Sequence, residues 1–247
     1  MIFDNRLVLS AMAGINDAEF CLKQKAALVV MGGFNADDKA MKAAKRVIGR
    51  QRKEFIFDDP IDGIKNEIKR IYNKKKFAVN VRSASIDGYV EVAKIVREYG
   101  GIVEINAHCR QPEFVEIGCG QYLLFNQEKL IEIVREVSKI CVTAVKIRGG
   151  LNIDYSELAK KLRKAGCRII HVDAMIPNEL CDLELITQIA KTGFTIGNNS
   201  FVDTKSGEAM IKAGASMASA ARAVLKNPRF FDEMLNSKIL SEKVILN

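Results

Sequence analysis

A single-domain (β/α)8 barrel is the fold the sequence predicts, and three observations predict it. Eight short apolar runs, at residues 7–11, 28–31, 77–81, 102–106, 144–147, 169–172, 194–197 and 217–220, are nearly continuous rather than alternating, the pattern of parallel strands covered on both faces. Helical patterns separate them at an interval of roughly 25 to 35 residues, the rhythm of repeated strand–helix units. The chain has 247 residues, close to one closed barrel, and no Gly/Ser linker, composition break or low-complexity tract divides it.

The elements follow in order. Met1-Ile2-Phe3-Asp4-Asn5-Arg6 opens straight into a strand and lacks the layout of a signal peptide. The second strand ends at Met31-Gly32-Gly33-Phe34, which reads as a tight turn or as a place where a ligand comes close. Residues 49–59 break the rhythm and are expected as an extended excursion before a helix over 61–72. Lys74-Lys75-Lys76 is expected as a solvated turn at the far end of the barrel. A helix over 85–99 turns Val90, Ala93, Ile95 and Val96 to one side, and one over 127–140 does the same with Leu130, Ile131, Ile133, Val134 and Val137. The helix over 155–165 runs to Gly166, a C-cap; Asp203 or Thr204 caps a helix reaching Ala213 before Gly214. Asn227-Pro228-Arg229-Phe230-Phe231 leads into a last helix, with no room for a second domain before residue 247.

Composition narrows the function classes. Apolar residues at 48% and charged residues at 28% describe a globular chain rather than a disordered one. No apolar run approaches the ~18 residues of a membrane span, and a cytoplasmic protein is expected. The six cysteines form no CxxC pair and the two histidines lie far apart, so free thiols are expected and a disulfide framework or metal centre is not. The net charge of +8 favours contact with polyanions such as RNA, and serves solubility equally well. Oligomeric state is left open.

In such barrels the chemistry sits at the C-terminal ends of the strands. Read in order, those ends give Ser10-Ala11-Met12-Ala13-Gly14, Asn80-Val81-Arg82, Asn106-Ala107-His108-Cys109, Val145-Lys146-Ile147-Arg148, His171-Val172-Asp173, Gly197-Asn198-Asn199 and Ala220-Ala221-Arg222. Lys146 is the hardest to dismiss, because a lysine within a strand is almost never buried without a partner. Cys109 is open to two readings, a reactive thiol or a small buried residue. His171 is a site residue or a hydrogen-bonded core histidine. His108, protonated, would activate the thiol beside it, or would simply face solvent. Cys21, Cys119, Cys141, Cys167 and Cys181 read as packing residues.

From about residue 7 to residue 231 these motifs resemble, in order, the tRNA-dihydrouridine synthases, flavin-dependent barrels that reduce uridine in tRNA; the compact type of this chain resembles archaeal members. The resemblance implies FMN as cofactor and NADPH or NADH as electron donor. It implies that Ala11, Met12 and Ala13 lie along the flavin ring, that Asn80 stands where the family has a glutamine on the ring edge, and that Lys146 stabilises electron density on the reduced ring. His171 would lie near flavin and substrate. Asn198, Asn199, Ala221 and Arg222 would grip the phosphate, with Lys226 adding charge. Cys109 would donate a proton to uracil as general acid, Asn106 would orient the base and Arg148 would contact substrate. tRNA or a small pyrimidine is the implied partner.

The chain departs from the family pattern at the rim. Ala11 and Arg110 replace prolines, His108 replaces the glycine before the cysteine, and Asp173 replaces an arginine. Asn199, Ser200 and Ala221 replace glycines of the phosphate turn, and the family's C-terminal helical domain is not expected within these 247 residues. Two alternatives follow: a dihydroorotate-dehydrogenase-like enzyme acting on a free pyrimidine, or a barrel without flavin that binds RNA or protein. Polar Asn106, Cys109, Lys146 and Arg222 together at four strand ends speak against the second.

Overall fold

Every helix of eight residues or more begins where a side chain ends the preceding segment by accepting a backbone N–H. Asp37, Asp59, Ser85, Asn126, Asp154, Asp182 and Asp203 do so at the helices Asp38–Gly49, Pro60–Ile71, Ile86–Glu98, Gln127–Ser138, Tyr155–Lys164, Leu183–Ala190 and Thr204–Lys212. Between them the apolar runs form strands. The computed structural model describes residues 1–176 and 180–247.

The strands are β1 (Ile2–Phe3), β2 (Leu7–Leu9), β3 (Leu28–Asn35), β4 (Phe77–Arg82), β5 (Ile102–Ala107), β6 (Thr143–Arg148), β7 (Ile169–Asp173), β8 (Thr195–Asn198), β9 (Met217–Ala220) and β10 (Val244–Ile245). β2 through β9 pair in sequence order, all parallel, and β9 returns to β2, closing the (β/α)8 barrel. β1 and β10 pair antiparallel as a separate two-stranded ribbon.

Closure in register sorts the side chains. Inward positions on successive strands build a lower layer of Val8, Val30, Ala78, Ile102, Ala144, Ile169, Ile196 and Met217, and the ribbon brings Phe3 and Leu246 to pack against it. Two residues further along, the inward positions are Ser10, Asn80, Glu104, Lys146, His171 and Ser219; two further still they are Arg82, Asn106, Arg148 and Asp173. The intervening residues, such as Val79, Val103, Val145 and Ile170, pack outward against the helices.

The structure shifts several expected boundaries. β2 stops at Leu9, so Ala11 lies in the following loop. β3 runs through Gly32-Gly33 to Asn35, with its register slipping between Gly32 and Phe34, so the glycines form a bulge rather than a turn. The periodicity reading does not single out helix Asp38–Gly49, whose buried face is mostly alanine. Helix Ile86–Glu98 buries Tyr89 and Val92 beside Ala93, Ile95 and Val96, leaving Val90 half-buried. Lys75 is not a solvated turn residue: it is half-buried and its Nζ donates to the Gln24 carbonyl. Residues 50–58 carry no helix or strand, as expected of the excursion, and anchor by Phe55 and Phe57, whose rings pack at a tilt against Phe34.

Phe3 therefore works as part of a plug. Phe3→Ala is expected to destabilise the barrel by about 3–5 kcal/mol, read as a lower denaturant midpoint; an unchanged midpoint would show that the lower layer is sealed without it.

Candidate active site

A cavity of about 840 Å³ opens at the C-terminal ends of the barrel strands. One wall is the loop Ser10-Ala11-Met12, the floor includes Lys146 and Ser219, and the opposite wall is His108, Cys109, Arg148 and Asp173. Residues 198–202 and 220–223 close the third side.

Beneath it lies a buried polar network. Glu104 receives Asn80 Nδ2 on Oε1 at 2.7 Å, and His171 Nδ1 lies 2.7 Å from Oε2. His171 Nε2 lies 2.7 Å from Ser219 Oγ. A carboxylate can only accept, so Nδ1 carries the ring proton and Nε2 accepts from the serine hydroxyl. Burial alone pushes the Glu104 carboxyl up, but His171, the Lys146 ammonium and the Asn80 amide outweigh it and hold it at about 2. Burial, reinforced by Lys146, pushes His171 down and keeps the ring neutral.

Lys146 is 3% exposed and its Nζ donates to Ser10 Oγ. Among the described residues it forms no ion pair, so its other N–H groups have no protein acceptor. Burial pushes its pKa down; Glu104 and Asp173 oppose the shift.

The loop after β5 is fixed from several directions. Asn106 Oδ1 accepts the backbone N–H of His108 and of Cys109, at 3.1 and 2.9 Å, while its Nδ2 donates to Asn80 Oδ1 at 2.8 Å. Gln121 N–H donates to the Cys109 carbonyl at 2.7 Å. Gly120, at φ +60°, lies so close that any side chain there would run into that carbonyl. Behind Cys109 lies Arg82, paired with Glu54 of the 49–59 excursion, with Nη2 donating to the Gly33 carbonyl at 2.7 Å and its plane 3.8 Å from the Phe114 ring. Arg82 Nη1 points to Cys109 Sγ at 3.9 Å. At the surface Arg50 grips Glu113 with two hydrogen bonds, 2.6 and 2.8 Å, fastening the same excursion to the same loop.

Two departures from the family pattern meet in the cavity wall. His108 Nε2 lies 2.8 Å from Asp173 Oδ2, and Arg148 Nη1 lies 3.4 Å from the same oxygen. The carboxylate that replaces an arginine thus sits between an imidazole and a guanidinium. Burial alone would raise Asp173, yet His108, Lys146 and Arg148 hold it at about 2. Loss of water, with Lys146 and Arg148 nearby, outweighs Asp173 and pushes His108 down. Its Nε2 is engaged by that carboxylate.

The turn after β8 keeps the backbone that glycines would adopt. Asn199 and Ser200 have φ +96° and +55°, the left-handed region that non-glycine residues enter at a cost. Arg222 and Lys226 are exposed beside it and line the cavity.

Of the residues singled out in the sequence, Ala11, Met12, Cys109, Lys146, Arg148, Asn198, Asn199, Ala221 and Arg222 come together around this cavity. Ala13, Asn80, Asn106 and His171 do not line it. Asn80 and His171 are covered by the network around Glu104, and both ends of the Asn106 amide are engaged below the loop. Sequence reasoning passed over Glu104 and Glu54. A glutamate inside the run Ile102–Ala107 was a usable signal; Glu54, in an irregular segment, gave none. The other cysteines are buried or half-buried, with burial pushing Cys119 and Cys181 to about 12 and Cys141 and Cys167 to about 11. No helix among the described residues is long and apolar enough to cross a membrane.

Comparison with known proteins adds two findings. A family model described as dihydrouridine synthase matches residues 62–245, beginning after the Met12 loop. An uncharacterized protein of Methanocaldococcus jannaschii is 32% identical over 236 residues, covering 90% of each chain.

Glu104 and Asp173 both have folded values below their ordinary ones, so their contribution is present above the usual carboxylate range and is lost as pH falls toward about 2. The melting temperature is expected to fall steeply from about pH 5 to pH 3. Asp173→Asn should flatten part of that slope, removing on the order of 2 kcal/mol at neutral pH. Parallel profiles for the two proteins, from thermal melts followed by circular dichroism, would contradict this assignment.

Proposed function

The chain belongs to the dihydrouridine synthase family, and from that membership together with the cavity's donor set we propose that it is an FMN-dependent oxidoreductase reducing the C5=C6 bond of uracil, in RNA or in a related pyrimidine. The observation that carries the proposal is Lys146, a buried ammonium at the cavity floor whose only acceptor among the described residues is one serine hydroxyl. Such a cation calls for an electron-rich ligand group, since a buried charge left with spare donors is costly. The rest of the wall fits a phosphorylated ring: small side chains at Ala11 and Ala221, successive left-handed residues at Asn199 and Ser200, and the guanidinium of Arg222, which has no ion-pair partner among the described residues.

When bound, FMN would take hydride from NADPH or NADH and supply it to one carbon of the uracil double bond. The chain's own residues do the remainder. Cys109 donates its thiol proton to the neighbouring carbon. Lys146 stabilises negative charge at the cofactor ring, and Arg222, with Asn198, Asn199 and Ala221 around it, holds the phosphate. Ala11, Met12 and Ala13 form the loop beside the ring, with Ala13 set back from the cavity. Asn80 and His171 act from below by holding Glu104, and so the field around Lys146. Asn106 acts through its grip on the Cys109 loop, and Arg148 faces the substrate side. The whole chain, residues 1–247, serves as one FMN-binding barrel domain in the cytoplasm. The net charge of +8 and the cavity arginines Arg52, Arg110 and Arg222 favour an RNA strand as the carrier of the uracil.

The visible spectrum tests this directly. Protein purified without added cofactor, or desalted after addition of FMN, is expected to retain oxidised flavin bands; their absence from both samples would replace the enzyme with a barrel that binds RNA or protein. Arg222→Ala should weaken FMN retention by ~1.5–3 kcal/mol through loss of a charge-assisted contact. Cys109→Ala should keep the flavin but lose reduction of unmodified tRNA or free uracil nucleotides, and full turnover in that variant would remove Cys109 from the chemistry.

A further inference from the structure

We propose that Arg82 is a positioning residue for Cys109: its Nη1 fixes the thiol at the cavity wall and stabilises the negative charge that sulfur takes on when it gives up a proton. The inference rests on the reading of Cys109 as the proton donor. It is drawn from four contacts of one side chain. Arg82 is 1% exposed and occupies the uppermost inward position of β4, directly behind the cavity wall. Glu54 takes Nη1 at 3.1 Å and pairs with Nη2, Gly33 takes Nη2 at 2.7 Å, and Phe114 stacks on the plane. The guanidinium is thereby immobilised, and its Nη1 also faces Cys109 Sγ at 3.9 Å.

Packing alone gives little reason for this arrangement. A fully buried ion pair can be exchanged for apolar side chains with little loss of stability, and often with a gain. Here the pair is built from an irregular loop and a barrel strand, leaves Arg82 Nε without an acceptor, and directs an N–H at a thiol that lines the cavity. His108, the chain neighbour of Cys109, is committed to Asp173 through Nε2, and among the described residues Arg82 is the cation in contact with the sulfur.

In the step this serves, the S–H bond of Cys109 breaks as a C–H bond forms on the pyrimidine carbon next to the one receiving hydride. The S–H electron pair stays on sulfur as a thiolate, and the two electrons that saturate the ring come from the reduced nicotinamide through the flavin. Arg82 stabilises the thiolate, and Glu54 limits how strongly, because its carboxylate neutralises part of the guanidinium charge. Proton return from solvent then resets the thiol.

The test needs neither flavin turnover nor substrate. Alkylation of Cys109 by iodoacetamide is followed against pH, with the modified peptide quantified by mass spectrometry and folding checked by thermal melts. Arg82→Met should slow alkylation at pH 7 by about tenfold. Arg82→Lys, which keeps the charge, should restore part of the rate. Glu54→Gln should act the opposite way and speed alkylation, because Arg82 is then less neutralised. It also carries the test alone if Arg82→Met does not fold. Rates that coincide with those of the parent protein, or that change in the same direction for Arg82→Met and Glu54→Gln, would reduce Arg82 to a structural ion pair and overturn the proposal. The expected changes in a protein that binds no flavin would leave the Arg82–Cys109 coupling standing while removing the oxidoreductase.

Discussion

Glu104 sits inside the barrel with its carboxylate cut off from water, and each oxygen takes its hydrogen bond from a different strand, Asn80 on β4 and His171 on β7. An ionised carboxylate in such a place is tolerable only when paired and fully hydrogen-bonded, which dictates much of what surrounds it. His171 must present N–H at Nδ1, so its other nitrogen needs a donor, and Ser219 on β9 supplies one. Asn80, having spent its amide N–H on Glu104, offers its carbonyl to Asn106, and Asn106 in turn accepts the two backbone N–H groups that open the Cys109 loop. A chain of five side chains, Ser219, His171, Glu104, Asn80 and Asn106, thus joins the middle of the barrel to the wall of the cavity. Lys146 balances the charge from the next strand, and its residual donors are what the cavity presents to a ligand.

Above that layer the balance is kept locally. Asp173 is paired with Arg148 and tied to His108; Arg82 is paired with Glu54. Each charge finds its partner on a different segment, so the ion pairs also act as ties. The 49–59 excursion, which has no strand or helix to hold it, is held by three aromatic rings, by Glu54 on the inside and by Arg50 on the surface. The cysteine and its surroundings are therefore braced by a part of the chain that contributes Arg52 to the cavity rim and little else to the barrel.

The barrel was legible in the sequence because parallel strands covered on both faces read as apolar runs, and all eight were found, with ends displaced by a few residues. The displacements have physical causes. β3 outran its apolar signal because Gly32 and Gly33 continue the strand as a bulge against β4, a use of glycine that composition does not separate from a turn. Helix Asp38–Gly49 escaped notice because alanine marks a buried face weakly. At the site, strand-end positions were legible as positions, and most of the residues they named do share one cavity. What the sequence could not convey was depth: Asn80 and His171 stand at strand ends as Lys146 does, yet partners from other strands cover them. Nor could it reveal that His108 and Asp173, two separate departures from the family pattern, form a single contact.

The three inward layers are spaced two residues apart on β4, β5, β6 and β7, so each can be altered independently by substitution while none tolerates a change in strand length. Deleting one residue from the first half of β5 would exchange Glu104 and Asn106 for Ile105 and Ala107, turning the carboxylate outward into the helices and an isoleucine into its place. Descendants of this barrel can therefore explore new substrates by changing single letters at the inward positions, or by lengthening the loops that follow them. Insertions and deletions within the strands themselves should be purged, and the lengths of the eight strands should persist long after the residues on them have drifted.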